Sequence, residues 1–201
     1  MKKVFLTGAS SGIGLAIAQS LIARGDEVWG TSRNLIRLEP VTGLHPVLLD
    51  LSDTRSIDEA FKNALSKAGH FDVVINNAGS GHLGPAEHLS DAEIERQFQV
   101  LLFGHIQLMR LTVAAMQQRG QGLIINVTSL ASRLPVPFMA AYNAAISDAA
   151  KQEGATLVDL HLNGTQIGQH PEWISADGFH PSEQGYAVIA KLFEDAYRRV
   201  G

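Results

Sequence analysis

Three glycines at positions 8, 12 and 14 lie between a short apolar run and a helical pattern, and they form the part of this 201-residue chain best suited to hold an anion. Val4, Phe5 and Leu6 suffice for a strand buried on both faces, and from Ile13 the residues Ala16, Ile17 and Leu21 recur at helical spacing. A strand that turns on glycine into a helix points backbone N–H groups and the positive end of the helix dipole beyond the turn. The chemistry this suits is phosphate binding, with Gly8, Ser10, Ser11, Gly12, Ile13 and Gly14 as the candidate contacts. The spacing is G-x-x-x-G-x-G rather than the commoner G-x-G-x-x-G, and a plain strand–helix turn is the alternative.

Composition narrows the classes of function. A hydrophobic content of 45% with 18% charged residues is that of an ordinary globular chain, and the length fits one domain with a sizeable core. The formal net charge of -4 supplies no basic face for nucleic acid and no polybasic patch for a membrane. With no cysteine, disulfides, thiolate metal sites and cysteine nucleophiles are excluded. The eight histidines contain no H-x-x-x-H pair, so no zinc site at helical spacing is expected. Met1, Lys2 and Lys3 lead straight into the first strand. No signal-peptide apolar region and no run long enough to span a bilayer is expected, which makes a cytoplasmic location the default.

The elements that must position the glycine turn follow from periodicity. From Lys2 to about Gly120 strand-like and helical patterns alternate. This predicts an α/β fold: a three-layer, Rossmann-like doubly wound parallel sheet of about six strands, order 3-2-1-4-5-6, in a single domain over 1–201. Strand one ends at Thr7 and its helix runs from Gly12 to Ala23. Strands two to five are expected over Glu27–Thr31, His45–Leu49, Phe71–Asn76 and Gly122–Val127. Ser52 or Asp53 should cap the helix carrying Ile57, Ala60, Phe61 and Leu65. Ser90, with Glu93 three residues on, forms a capping box for a long helix towards Gly120, with a break expected near Gly104.

In this architecture the end of the second strand, Gly30-Thr31-Ser32-Arg33-Asn34, faces an adenosine ribose. An acid there accepts from a 2′-hydroxyl, whereas a cation accommodates a 2′-phosphate, so Arg33 favours NADP(H) over NAD(H). Two further stretches complete a pattern: Val47-Leu48-Leu49-Asp50-Leu51 after the third strand's core, and Asn76-Asn77-Ala78-Gly79 after the fourth. With Thr7–Gly14 and Arg33 these are four ordered matches, and residues 1 to about 143 resemble a classical short-chain dehydrogenase/reductase. The resemblance implies that Asp50 and Leu51 meet the adenine, and that Asn77, Ala78 and Gly79 line a nicotinamide dinucleotide.

It also implies a catalytic set, of which two members match. Tyr142 stands where the family's tyrosine gives or takes the substrate proton, and Ser129, thirteen residues earlier, stands where its serine orients the carbonyl. Positive charge beside a phenol favours phenolate, which is the family's use for a lysine four residues after the tyrosine. Here that position is Ile146, and the family's asparagine in V-N-x-x-G is Leu101. Both losses argue against efficient hydride transfer.

Past Tyr142 the expected pattern stops, with no Pro-Gly turn after the next strand. Ser147–Gly154 closes a helix and Ala155–Leu160 reads as a sixth strand, followed by a polar loop over His161–Ser175. Asp177-Gly178-Phe179-His180-Pro181 and the helix after it resemble the last block of the SGNH/GDSL hydrolases, of flavodoxin-like fold. That resemblance implies that His180 is a general base oriented by Asp177, although the family's nucleophilic serine block is absent. The chain therefore reads as a dehydrogenase-like portion, 1–143, joined near Tyr142–Ala145 to a hydrolase-like portion, 144–201, as in a laboratory chimera.

The function expected from this is a recombinant domain that at most binds NADP(H), with little or no turnover. The alternatives are an active NADP(H)-dependent oxidoreductase using Tyr142 and Ser129, a scaffold without ligand, and a weak esterase through His180. Substrate and oligomeric state are not legible in the sequence.

Overall fold

The computed structural model describes residues 1–81, 85–128, 170, 172, 182–188 and 191. Five parallel strands form one sheet in the order β3-β2-β1-β4-β5: β1 Lys3–Leu6, β2 Glu27–Ser32, β3 Leu44–Leu48, β4 Val73–Asn76 and β5 Leu123–Asn126. The order is the expected one for strands one to five; the proposed sixth strand, Ala155–Leu160, lies outside the described residues. Helices α1 (Gly12–Ala23), α2 (Thr54–Ala68), α3 (Asp91–Phe98) and α4 (Gly104–Arg119) make the crossovers.

The apolar runs are continuous because both sheet faces are covered. Side chains alternate across a strand, so Val4 and Leu6 of β1 join Val73 and Ile75 of β4 against Ile17, Ala18 and Leu21 of α1. Phe5 and Val74, between them, point the other way, to Ile57 and Phe61 of α2 and to Leu108 and Met116 of α4. On that face Phe5 meets Phe61 edge-on, with ring centroids 5.4 Å apart, and Phe71 at 5.3 Å. The register Phe5↔Trp29 and Phe5↔Val74 brings the carboxyl ends of β1, β2 and β4 level with one another. The turns that follow them therefore open on one edge of the sheet.

Local signals set the helix ends. Of the two candidates for the α2 cap, Asp53 does the capping, accepting from Arg55 N at 2.9 Å. Ser52 instead bonds the carboxylate of Asp50, through its N–H at 2.9 Å and its hydroxyl at 2.7 Å. Ser90 and Glu93 form the predicted reciprocal capping box at α3.

Between α3 and α4 the run does not break at Gly104. It widens into a π-turn over Gln99–Phe103 and continues as helix. The glycine is there for space: a Cβ on it would lie 2.5 Å from the carbonyl oxygen of Leu51. The expectation that no run could span a bilayer also needs correcting. Asp91–Arg119 is 29 residues of helix with a window of mean hydropathy 1.3, long and apolar enough by length and composition. Its apolar side is used in the core, where Val100, Leu108 and Met116 pack against β1, β4 and α2.

Candidate dinucleotide-binding site

The first turn of α1 is an open donor site. Ser11 occupies the cap position in extended backbone, yet its side chain makes no cap hydrogen bond to the N–H groups behind it. No acidic residue stands in that turn either. Among the described residues the first-turn N–H groups and the dipole end are thus presented without a side-chain cap, which is the arrangement an anion fits. Gly14 shows why the turn is so tight. A Cβ there would overlap the Gly8 carbonyl oxygen and sit 2.5 Å from Asn77 Nδ2, so any side chain would push the helix off the β4 loop.

That loop is tied to the turn by one residue the sequence reading left out, Thr7. It is fully buried at the end of β1. Its Oγ1 accepts from the backbone N–H of both Asn77 and Ala78 at 2.9 Å, and lies 3.4 Å from the Ile75 carbonyl, to which it donates. Asn77 returns the tie, its Nδ2 donating to the Thr7 carbonyl at 3.0 Å. On the other flank, the buried Thr31 of β2 accepts from Gly8 N through its Oγ1 at 3.2 Å and from Ala9 N through its carbonyl at 2.9 Å. Three loops from three strands are therefore one hydrogen-bonded unit. A threonine at a strand's end, before a glycine turn, was the signal available for it.

The predicted adenosine end lies on the same edge. Arg33 follows β2 and is exposed, while Asp50 follows β3 and is half-buried. Burial pushes the Asp50 carboxyl up, but the Ser52 hydrogen bonds and the positive charges of Arg33 and Arg96 outweigh it, and the net shift is down. Asp50 stays an anion, within the field of Arg33. Leu51, beside it, is buried against α2 and α4.

The catalytic end is different. Leu101 sits in the π-turn, 3% exposed, and its Cδ2 is 3.2 Å from where a Cβ on Gly79 would stand. The position implied by the family resemblance therefore does face the Asn77–Gly79 loop, but with an apolar side chain. One turn on, His105 reaches the same loop, its Nε2 2.8 Å from the Ala78 carbonyl. A carbonyl only accepts, so Nε2 carries the proton, and Nδ1 is left as a sealed lone pair with no partner. The His105 residue as a whole is only half-buried, whereas Nδ1 itself is out of solvent. Burial pushes its pKa below the usual 6.5, against a smaller upward pull from the Ala78 bond, and the ring is held neutral. The predicted Ser129, Tyr142, Ile146, Asp177 and His180 lie outside the described residues.

Comparisons with known proteins place the chain in a family. The family described as short chain dehydrogenase matches residues 2–151, running past Tyr142 and the junction expected at Tyr142–Ala145. The chain is 33% identical over 147 residues to the oxidoreductase BOA17 of Botryotinia fuckeliana, covering 70% of this chain and 54% of that one. It is 30% identical over 158 residues to the 3-ketodihydrosphingosine reductase of Bacteroides thetaiotaomicron, covering 79% and 58%. The chain thus spans little more than half the length of these curated relatives. Among solved structures, a metagenomic short-chain oxidoreductase in complex with NADP superposes with a TM-score of 0.76 at 28% identity, over 96% of this chain and 89% of that one. By sequence and by fold, the chain belongs to the short-chain dehydrogenase/reductase family.

Proposed function

We propose that the chain is an NADP(H)-dependent oxidoreductase acting on a carbonyl or an alcohol. The observation that carries this is the uncapped first turn of α1, locked by Thr7 to the Asn77–Gly79 loop with Arg33 and Asp50 on the same sheet edge. The open N–H groups of that turn would hold the pyrophosphate, and Arg33 the 2′-phosphate that separates NADP(H) from NAD(H). Asp50 and Leu51 would meet the adenine, and Asn77, Ala78 and Gly79 would line the nicotinamide side. Bound there, the nicotinamide supplies or accepts the hydride. Tyr142 would give or take the substrate proton, and Ser129 would hold the substrate oxygen by hydrogen bonding.

A second reading, cofactor binding with little turnover, is favoured by Leu101. Its methyl packs on the loop where the resemblance expects an amide, and it can relay no proton. Ile146, in place of a lysine, removes the charge that would favour phenolate at Tyr142.

The experiment has two steps. NADPH and NADH are first titrated against the protein by cofactor fluorescence; tighter binding of NADPH supports the site, and no binding at millimolar cofactor refutes it. NADPH consumption is then followed over a panel of aldehydes and ketones, for the natural chain and for Ile146→Lys. Turnover in the natural chain that rises in the variant supports the oxidoreductase reading. Binding without turnover in either decides for the second.

A further inference from the structure

The helical segment over residues 183–188 lies well beyond the part of the chain that the family matches, yet it reaches the glycine turn. Gly12 opens α1 with φ +53, and a Cβ placed on it would stand 3.5 Å from Tyr186 Oη, 3.6 Å from Cζ and 3.7 Å from Cε1. All three nearest atoms belong to the hydroxyl end of one phenol ring. That ring end therefore stands over the cap of α1, where the first-turn N–H groups have no side-chain acceptor.

The segment is anchored so as to hold the ring there. Ser182 precedes it, and its Oγ accepts from Gly185 N at 3.1 Å and donates to the Glu172 carbonyl at 2.6 Å. The Tyr186 N–H closes the first turn on the Ser182 carbonyl at 2.9 Å. Gly185 is buried and Tyr186 half-buried. Among the described residues no acceptor pairs with its hydroxyl. A phenol carries one donor, and a donor at this point adds to the set of N–H groups already aimed at the same place.

We propose that Tyr186 is a cofactor-binding residue whose hydroxyl donates to the pyrophosphate held over Gly12. It closes, from the helical segment over residues 183–188, the cradle that β1 and α1 begin. This rests on the dinucleotide site proposed above. A hydrogen bond to a charged oxygen is the strong kind, and its loss is expected to weaken binding about tenfold. The larger ring contact over Gly12 should remain in a phenylalanine.

The test is a set of titrations by cofactor fluorescence or calorimetry on the natural chain and on Tyr186→Phe, with far-UV circular dichroism to show that both are folded. NADPH and ADP-ribose, which carry the pyrophosphate, should each bind about tenfold more weakly to Tyr186→Phe. Adenosine 2′-monophosphate, which lacks it, should bind both proteins alike. Unchanged NADPH affinity in Tyr186→Phe overturns the inference and leaves the dinucleotide site standing. An equal loss for adenosine 2′-monophosphate overturns it as well, since the tyrosine would then act on the fold and not on the pyrophosphate. Tighter NADPH binding by Tyr186→Ala overturns it in the other direction, making the ring an obstruction. If the natural chain binds none of the three ligands, the site and the inference fall together.

Discussion

The two sides of the Asn77–Gly79 loop are built from opposite materials. Towards β1 and β2 the loop is held by hydroxyls, amides and backbone groups: Thr7, Thr31 and Asn77 tie three strand ends into one polar unit. Towards α3 and α4 it meets the methyl of Leu101, in the π-turn whose Val100, Leu101 and Leu102 are buried, and the neutral ring of His105. The polar side is the one proposed to hold phosphates, and it carries the glycine turn and the Asn76–Gly79 stretch on which the family resemblance rests. The apolar side is where the family resemblance expects a proton relay, and it does not match. Binding and chemistry in this fold are thus separable, because they are placed by different elements that share one loop.

The comparison can be broken most severely at Gly14. In an ordinary helix position, Gly→Ala stabilises by up to about 1 kcal/mol. At Gly14 the added methyl would overlap the Gly8 carbonyl oxygen, a backbone atom that cannot rotate away. Gly14→Ala should therefore cost about 3 kcal/mol or more and abolish NADPH binding, read by urea denaturation and fluorescence titration. Thr7→Val comes next. It leaves two backbone N–H groups, of Asn77 and Ala78, without their acceptor in a buried place, for a loss of about 3 kcal/mol. Thr112→Val is the control on the other side. Thr112 is as buried as Thr7, but its hydroxyl bonds only the Leu108 carbonyl of its own helix, at 2.8 Å. Its loss should cost less than about 1 kcal/mol. Equal denaturation midpoints for the two valine variants would refute the polar unit.

Leu101→Asn sharpens the comparison from the apolar side. It exchanges a buried isobutyl group for an amide, and a cost near the low end for such sites, about 2 kcal/mol, is expected because the exposed Gly79 loop lets the amide find water. In the Ile146→Lys background it should raise NADPH consumption with a carbonyl substrate. A drop in turnover with the fold intact would mean that Leu101 is not at the relay position.

Most of the fold was legible because each signal was local and repeated. Apolar runs gave five strands to within two residues, and the glycine turn, Asp53 and the Ser90–Glu93 box gave the helix starts. What was illegible depends on partners far along the chain. Thr7 is an unremarkable threonine until Asn77 and Ala78 arrive 70 and 71 residues later. Gly104 looked like a helix breaker, but its meaning is the Leu51 carbonyl pressed against it from another element. Tyr186 carries no signal of its own in the sequence, and nothing in its neighbours' spacing points to Gly12. That Arg33 and Asp50 share one sheet edge was legible, since both follow strand ends that the sheet order makes adjacent.

The smallest effect expected is the one that follows from the titration of His105. The ring is neutral in the folded chain because burial holds its pKa below 6.5, whereas in the unfolded chain it titrates normally. Below pH 6.5 the unfolded state therefore binds more protons than the folded one, and stability must fall as the pH falls. Well above pH 6.5 neither state is protonated and the contribution is fully present. The slope is bounded by one proton, about 1.4 kcal/mol per pH unit. The carboxylates Asp50, Asp58 and Asp72, all lowered from 3.8, make their own contributions only in more acid solution, so they do not mask it. The other seven histidines are common to both proteins, which is why the measurement must be a difference. His105→Gln keeps a donor for the Ala78 carbonyl and removes the titration. Urea denaturation from pH 7.5 down to pH 5 should show the natural chain losing stability faster than His105→Gln, with the two curves parallel above pH 6.5. Parallel curves throughout would mean that His105 is not held neutral, and that the apolar side of the loop admits charge after all.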